Sequence, residues 1–245
     1  MDVTNWNIES LRLTGFVDNE FEPKNLEKWL TEIGGEQPIQ INKTLSNFSG
    51  LSKLEQSMLR LDWQQNRIDL IENAVAPDVK NNIGNFSGFS EYCNNHILKY
   101  FEMEGSPLLD RLAFGVLLYL PISSNEEGIS KITPLLKSVQ GIENSEDFLF
   151  RVNRPIILDI ADKIKINRLL TWTIGFMQLF RINIQPGIPQ NIPIVPPPEL
   201  QIRLEMDFST VQNIAIKMSI DQQKEVLNHF IATVNKVAEL GEYGL

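Results

Sequence analysis

The sequence has one cysteine, Cys93, and only two histidines, His96 and His229, in 245 residues. A lone thiol excludes an internal disulfide and a cysteine-rich zinc cluster. Cys93 falls on the apolar side of an expected helix, where a buried, inert thiol outweighs a nucleophile. Neither histidine belongs to a His-Glu-x-x-His or similar spacing, and both read as core or boundary residues rather than ligands. Long apolar runs are missing too. The most apolar stretch, 112–122, is about half the roughly 20 residues that a membrane span needs. Residues 1–10 hold acids and asparagines where a secretory signal would have a basic start and an apolar run, so the expected location is the cytoplasm. There is no Gly-x-x-x-x-Gly-Lys loop, no Gly-x-Gly-x-x-Gly fingerprint and no Gly-x-Ser-x-Gly elbow, and hence no support for a nucleotide cofactor or for acyl transfer. The expectation is that no cofactor is used.

A basic surplus is also lacking. The formal charge is −9, so the molecule as a whole repels polyanions. Residues 1–121 carry 10 basic and 17 acidic side chains, and the remainder 12 and 14, which leaves the second half nearer neutrality.

What is present is strand patterning. Residues 200–208 place Leu200, Ile202, Leu204, Met206 and Phe208 on one side and Gln201, Arg203, Glu205 and Asp207 on the other, the period of a half-buried strand. The alternation predicts further strands over 9–17, 54–64, 67–73, 111–120, 147–152 and 166–184, the last bending at Gly175. The strand 111–120 is apolar on both sides and so is expected to be buried on both. Helical spacing predicts helices from Pro23 to Gly34, over 87–103, from Asn125 to Gly141 with a kink at Pro134, and after Ser219, whose Gln222 completes a capping box. Residues 36–52 show little periodicity and read as a polar loop.

The order strand, helix, strand, strand, helix, strand, followed by a near repeat, matches the ferredoxin-like split unit. The predicted fold is α+β: two ferredoxin-like units with antiparallel sheets, over 1–121 and 122–245, helices packed on one face of each sheet. A proline-rich strap, 186–198, crosses the second unit. Asn47-Phe48-Ser49-Gly50-Leu51-Ser52 recurs as Asn85-Phe86-Ser87-Gly88-Phe89-Ser90, read as two similar lead-ins to new elements.

Two sets of residues are candidates for chemistry. Arg151, Arg154, Lys163, Lys165 and Arg168 surround the connection 153–165, interrupted by Asp159 and Asp162, and offer an anion or nucleic-acid contact; a solvated loop is the plainer reading. Glu205 and Asp207 project two apart from one strand face and can hold a metal only with a third acid such as Asp62 or Asp69; a solvated face offset by Arg203 is the plainer reading. No residue is assigned a catalytic role.

The segment Leu61-Asp62-Trp63-Gln64-Gln65-Asn66-Arg67-Ile68-Asp69, the aromatic-rich helix from Phe86, and the closing strand 200–208 with the helix through 226–230 resemble a sporadically distributed bacterial family of uncharacterised proteins. The resemblance implies a bacterial protein, often associated with mobile islands, and supplies no catalytic residues. In length and in its pair of units the chain is also similar to the RNA-processing nucleases of CRISPR systems, which carry a glycine-rich C-terminal loop where this chain has Gly241-Glu242-Tyr243-Gly244. The expected function is a non-catalytic interaction subunit of a bacterial complex, such as an antiphage defence assembly, meeting a protein partner or a second copy of itself. The rival is a nuclease or nucleic-acid binder using the basic set.

Overall fold

The computed structural model describes residues 5–18, 24–55, 57–74, 82–160, 163–177, 198–211 and 217–245. Eleven strands run through them: β1 (Asn7–Phe16), β2 (Gln40–Lys43), β3 (Asn47–Lys53), β4 (Ser57–Gln64), β5 (Arg67–Ala74), β6 (Gly84–Asn85), β7 (Arg111–Pro121), β8 (Leu149–Asn153), β9 (Ile156–Leu158), β10 (Ile164–Met177) and β11 (Glu199–Thr210). All join one antiparallel sheet in the order β2-β3-β4-β5-β1-β7-β11-β10-β8, with β6 beside β1 and β9 beside β10.

This corrects the expectation of two ferredoxin-like α+β units with separate sheets. The reason lies in β7. It bonds β1 along one edge, with Phe114 opposite Leu13, and β11 along the other, with Phe114 opposite Phe208. The sheet therefore passes unbroken across position 121, where Pro121 stands opposite Gln201. A second correction concerns 36–52, which holds β2 and most of β3 rather than a polar loop. The β2 residues are all exposed, so no apolar period marks the strand. In β3 the inward positions are Phe48, Gly50 and Ser52, of which only Phe48 is strongly apolar. The β10 ladder also continues through Gly175, opposite Gln201, with no break in its pairing. The remainder of that predicted run, and the strap apart from Pro198, lie outside the described residues.

The helices follow their signals more closely. α1 (Leu26–Gly34) buries Leu26, Trp29, Leu30 and Ile33 and stops at Gly35, whose φ of 78° suits glycine. It rests on β3 at Gly50, where an added Cβ would lie 2.6 Å from Leu30. Residues 86–102 wind as a helix of mixed pitch, whose α-helical turn is α2 (Phe89–Tyr92) and whose following turn, Cys93–Ile97, is a π-helix. α3 (Asn125–Ile132) tightens into a 3-10 turn at Pro134, which has no N–H for the α-helical ladder, and ends at Leu135, short of the predicted Gly141. α4 (Ile220–Leu240) has the predicted capping box of Ser219 and Gln222 and ends at Gly241.

Side-chain rows across the strands show what these helices do. One row of the sheet reads Leu61, Leu70, Leu13, Phe114, Phe208, Arg168; the next reads Leu59, Glu72, Leu11, Val116, Met206, Leu170. Every one of these twelve is buried. Each large apolar side chain so removed from water contributes about 1.5–3 kcal/mol. Phe208 meets Phe230 of α4 with ring centroids 5.8 Å apart, and the Trp6 indole donates to the Ala238 carbonyl at 3.3 Å. Among the described residues, no helix is long and apolar enough to cross a membrane.

Candidate functional site

Strand alternation separates the basic residues nominated from the sequence. Arg168 has the parity of the covered face and is buried; its Nε donates to the Arg154 carbonyl at 2.8 Å. Arg154 turns toward the C-terminal 3-10 turn (Gly241–Gly244) and binds the buried Glu242 carboxylate, with Ser138 as a second partner at 2.6 Å. Burial opposes ionisation of Glu242, but hydrogen bonds from Arg154 and Ser138 outweigh it and hold the carboxyl below its ordinary range. Arg151 and Lys165 are exposed and have the parity of the opposite face. Lys163 is exposed just before β10, at a left-handed φ of 52°. The structure thus spreads the five over both faces and a turn.

Glu205 and Asp207 do share a face. Asp207 stands 3.9 Å from Arg12, both about two-fifths exposed, and Glu205 is exposed. The acids named as third ligands are held elsewhere: Asp69 by Arg67 at 2.6 Å and by Thr14, Asp62 by Arg60 at 2.8 Å and Ser49 at 2.7 Å. Asp69 is three strands from Asp207, about 14 Å at the usual strand spacing. Among the described residues, no group of three His, Cys, Asp or Glu side chains comes close enough to hold a metal ion.

The face that carries these acids is buried along one row, at Asp69, Thr14, Ala113 and Ser209, and again at Tyr119 and Gln201. Two further rows read Leu51, Arg60, Ile71, Arg12, Gly115, Asp207, Leu169, Asn153 and Lys53, Met58, Asn73, Ser10, Leu117, Glu205, Thr171, Arg151, and none of these is buried. Six of the nine arginines in the sequence project here: Arg12, Arg60, Arg67, Arg111, Arg151 and Arg203. Among the described strands only Lys53 and Lys165 join them from the lysines, near strand ends. The acids on the face are Glu9, Asp62, Asp69, Glu199, Glu205 and Asp207. The face is therefore close to neutral while the chain is −9. Its carboxylates largely neutralise its arginines in place, as Glu9 does Arg203 at 2.9 Å. Arg111 and Arg67 also flank the Phe16 ring, at 5.0 and 5.9 Å from its centroid.

No protein-family model matches this chain, and no curated protein does.

A third feature was missed in the sequence. A cavity of about 1080 Å³ opens between the end of α1, the start of β4 and the helix 86–102, lined among others by Gly34, Ser57, Tyr92 and His96. Ser57 donates to Glu72, which belongs to the covered face and is only 1% exposed. Burial pushes the Glu72 carboxyl up to about 7, against the opposing hydrogen bond from Ser57. It thus exchanges a proton near neutrality. Cys93 sits close enough that burial and the Glu72 charge both push its thiol up, leaving it protonated and unreactive. His96 stacks on Tyr92 with centroids 4.6 Å apart, and burial together with Lys99 lowers its pKa against a backbone hydrogen bond with Ile33. The signal in the sequence was a charge in phase with a core series: Ile68, Leu70, Glu72.

Proposed function

We propose that this chain is a non-catalytic interaction subunit of a bacterial multiprotein complex in the cytoplasm, and that the open face of its sheet receives a protein partner. The observation that carries this reading is the inequality of the faces: helices bury one, while two rows of the other present partly exposed Leu117, Leu169, Ile71 and Met58 among arginines. Interfaces between proteins favour arginine over lysine and combine modest apolar area with polar groups. The in-place pairing of these arginines weakens the case for a nucleic-acid backbone, which needs unneutralised cations.

The occupant is a different protein with an acidic or mixed surface. The six arginines of the open face, with Lys53 and Lys165, exceed its six acids by two, a small surplus that an acidic or mixed surface complements. The lone buried Cys93 suits a reducing compartment. The defence setting rests on the bacterial resemblance of the 61–69 hairpin, the Phe86 helix and the closing strand and helix.

The test is a comparison of tagged wild type with Leu117→Glu/Leu169→Glu in the native host. The wild type should retain a defined protein at stoichiometric yield, and the folded double variant should lose it. Retention of the same protein by both forms, self-association alone, or co-elution of RNA or DNA that survives moderate salt would overturn the reading.

A further inference from the structure

We propose that the partner seats an acidic amphipathic helix on the end row of the open face, where Arg111 and Lys165 take two of its carboxylates and Val211 takes the apolar side chain between them. This anchor presupposes the open face as the docking surface and names what the partner brings to it.

Across the strands the end row reads Arg67, Phe16, Arg111, Val211, Lys165, Ile157. Phe16 of β1 lies opposite both Arg67 of β5 and Arg111 of β7. Val211, just past β11, donates its N–H to the Lys165 carbonyl at 2.8 Å, and Ile157 of β9 lies opposite Lys165. Cations and apolar groups therefore alternate, and the row contains no acid. Its apolar members meet solvent: Val211 is 40% and Ile157 65% exposed, and Phe16 partly so.

Pairing elsewhere on the face singles out these two cations. Arg12, Arg60, Arg67 and Arg203 each have a carboxylate, from Asp207, Asp62, Asp69 and Glu9. Among the described residues, Arg111 and Lys165 have none. Of the acids flanking the row, Asp69 is held by Arg67 and Thr14 and Asp18 by Lys217, while Asp110 and Asp159 stand outside it, before β7 and after β9. Arg111 is also set in place before a partner arrives. Its Nη2 donates to Ser209 Oγ at 3.1 Å, its guanidinium lies 5.0 Å from the Phe16 centroid, and its Nε is sealed from water. Nη1 is left without a hydrogen bond, on a side chain with little freedom to lose when a carboxylate binds.

Spacing favours a helix. Arg111 and Lys165 stand two strands apart, about 10 Å, and helix residues seven apart are separated by about 10.5 Å on one face. A helix also satisfies its own backbone, which a lone strand laid on a sheet face does not. A nucleic-acid backbone would want successive free cations, whereas here an apolar group separates each pair and Arg67 is already neutralised.

The probe is an alanine-based helical peptide with two glutamates seven residues apart and a leucine midway, titrated into the isotope-labelled full chain by NMR. Amide shifts should move saturably at 111, 165 and 211, and the same peptide with lysine for glutamate should bind at least tenfold more weakly. Arg111→Gln should weaken the acidic peptide by about tenfold, and Lys165→Glu, at an exposed position that needs no repacking, by about fivefold. Arg151→Gln, six residues away along the β10 ladder, should leave it within about twofold. Absence of saturable shifts, equal binding of the lysine peptide, affinity unchanged in both folded variants, or tighter binding of single-stranded oligouridine would each overturn the anchor. Such a failure, with the host protein still lost from Leu117→Glu/Leu169→Glu, would remove the anchor alone; retention of that protein by the double variant would remove the docking face as well.

Discussion

The two faces of this sheet are built from the same strands and do opposite work. On the covered face, Leu13, Phe114 and Phe208 lie in one row beneath α4 and the helix 86–102 and are all but inaccessible. One residue along each strand, Arg12, Gly115 and Asp207 form a row that stays half-exposed and carries a long 3.9 Å ion pair. Stability is concentrated on one side, leaving the other free to vary its chemistry at small cost. The covered face also contains two ionisable intrusions, Glu72 and Arg168, and each is answered locally: Glu72 by Ser57, Arg168 by the Arg154 carbonyl.

Breaking the covered face should produce the largest effect. Phe208→Ala removes a ring that packs on Phe230 at zero exposure, and should cost about 3–5 kcal/mol in urea unfolding. The Glu72 intrusion gives the next largest, and it depends on pH. Its folded pKa, raised to about 7 from an ordinary 4.5, means that the folded state holds the proton more tightly. Stability from this group is therefore fully present below about pH 4.5 and is lost as pH rises through 7, by about 3 kcal/mol. Glu72→Gln should match wild type at pH 4.5 and exceed it by up to that amount at pH 8; a constant difference across that range would contradict the raised pKa. Gly50→Ala tests the contact of α1 with β3. Its Cβ would press on Leu30 and the Phe48 ring, so about 1–3 kcal/mol of destabilisation is expected in the same assay. The open face gives the smallest stability effect. Arg12→Gln should change unfolding by less than about 0.5 kcal/mol, because its ion pair is long and solvated. A loss above 2 kcal/mol there would mean that this face, too, is structural.

The sequence was most legible where apolar alternation and cap chemistry coincide. The β4–β5 hairpin turns at Gln65 and Asn66, with Gln65 at φ 53°, and α4 starts at the expected capping box. It was least legible where hydrogen bonding alone holds a strand, as in the wholly exposed β2. Nor can periodicity name the partner of a strand: Phe114 pairs with Phe208 and Leu13, each more than ninety residues away, and that pairing turned two expected sheets into one. The repeated hexapeptide shows the same limit. Asn47–Ser52 is a strand with Gly50 under α1, while Asn85–Ser90 begins a helix with Gly88 in open space. Neighbours made the difference. Of the candidate residues, the shared face of Glu205 and Asp207 was readable from their spacing. The dispersal of the five basic residues was not, since it depends on strand parity across β8 and β10 and on the C-terminal turn that captures Arg154.

The open face as a docking surface is tested most directly by thiol labelling of Thr171→Cys, a half-exposed position between Glu205 and Arg151. The native Cys93 is buried and protonated and so gives little background. The account predicts rapid alkylation of the purified variant and strong protection in intact host cells, where the partner is present. Equal labelling in both settings would contradict it.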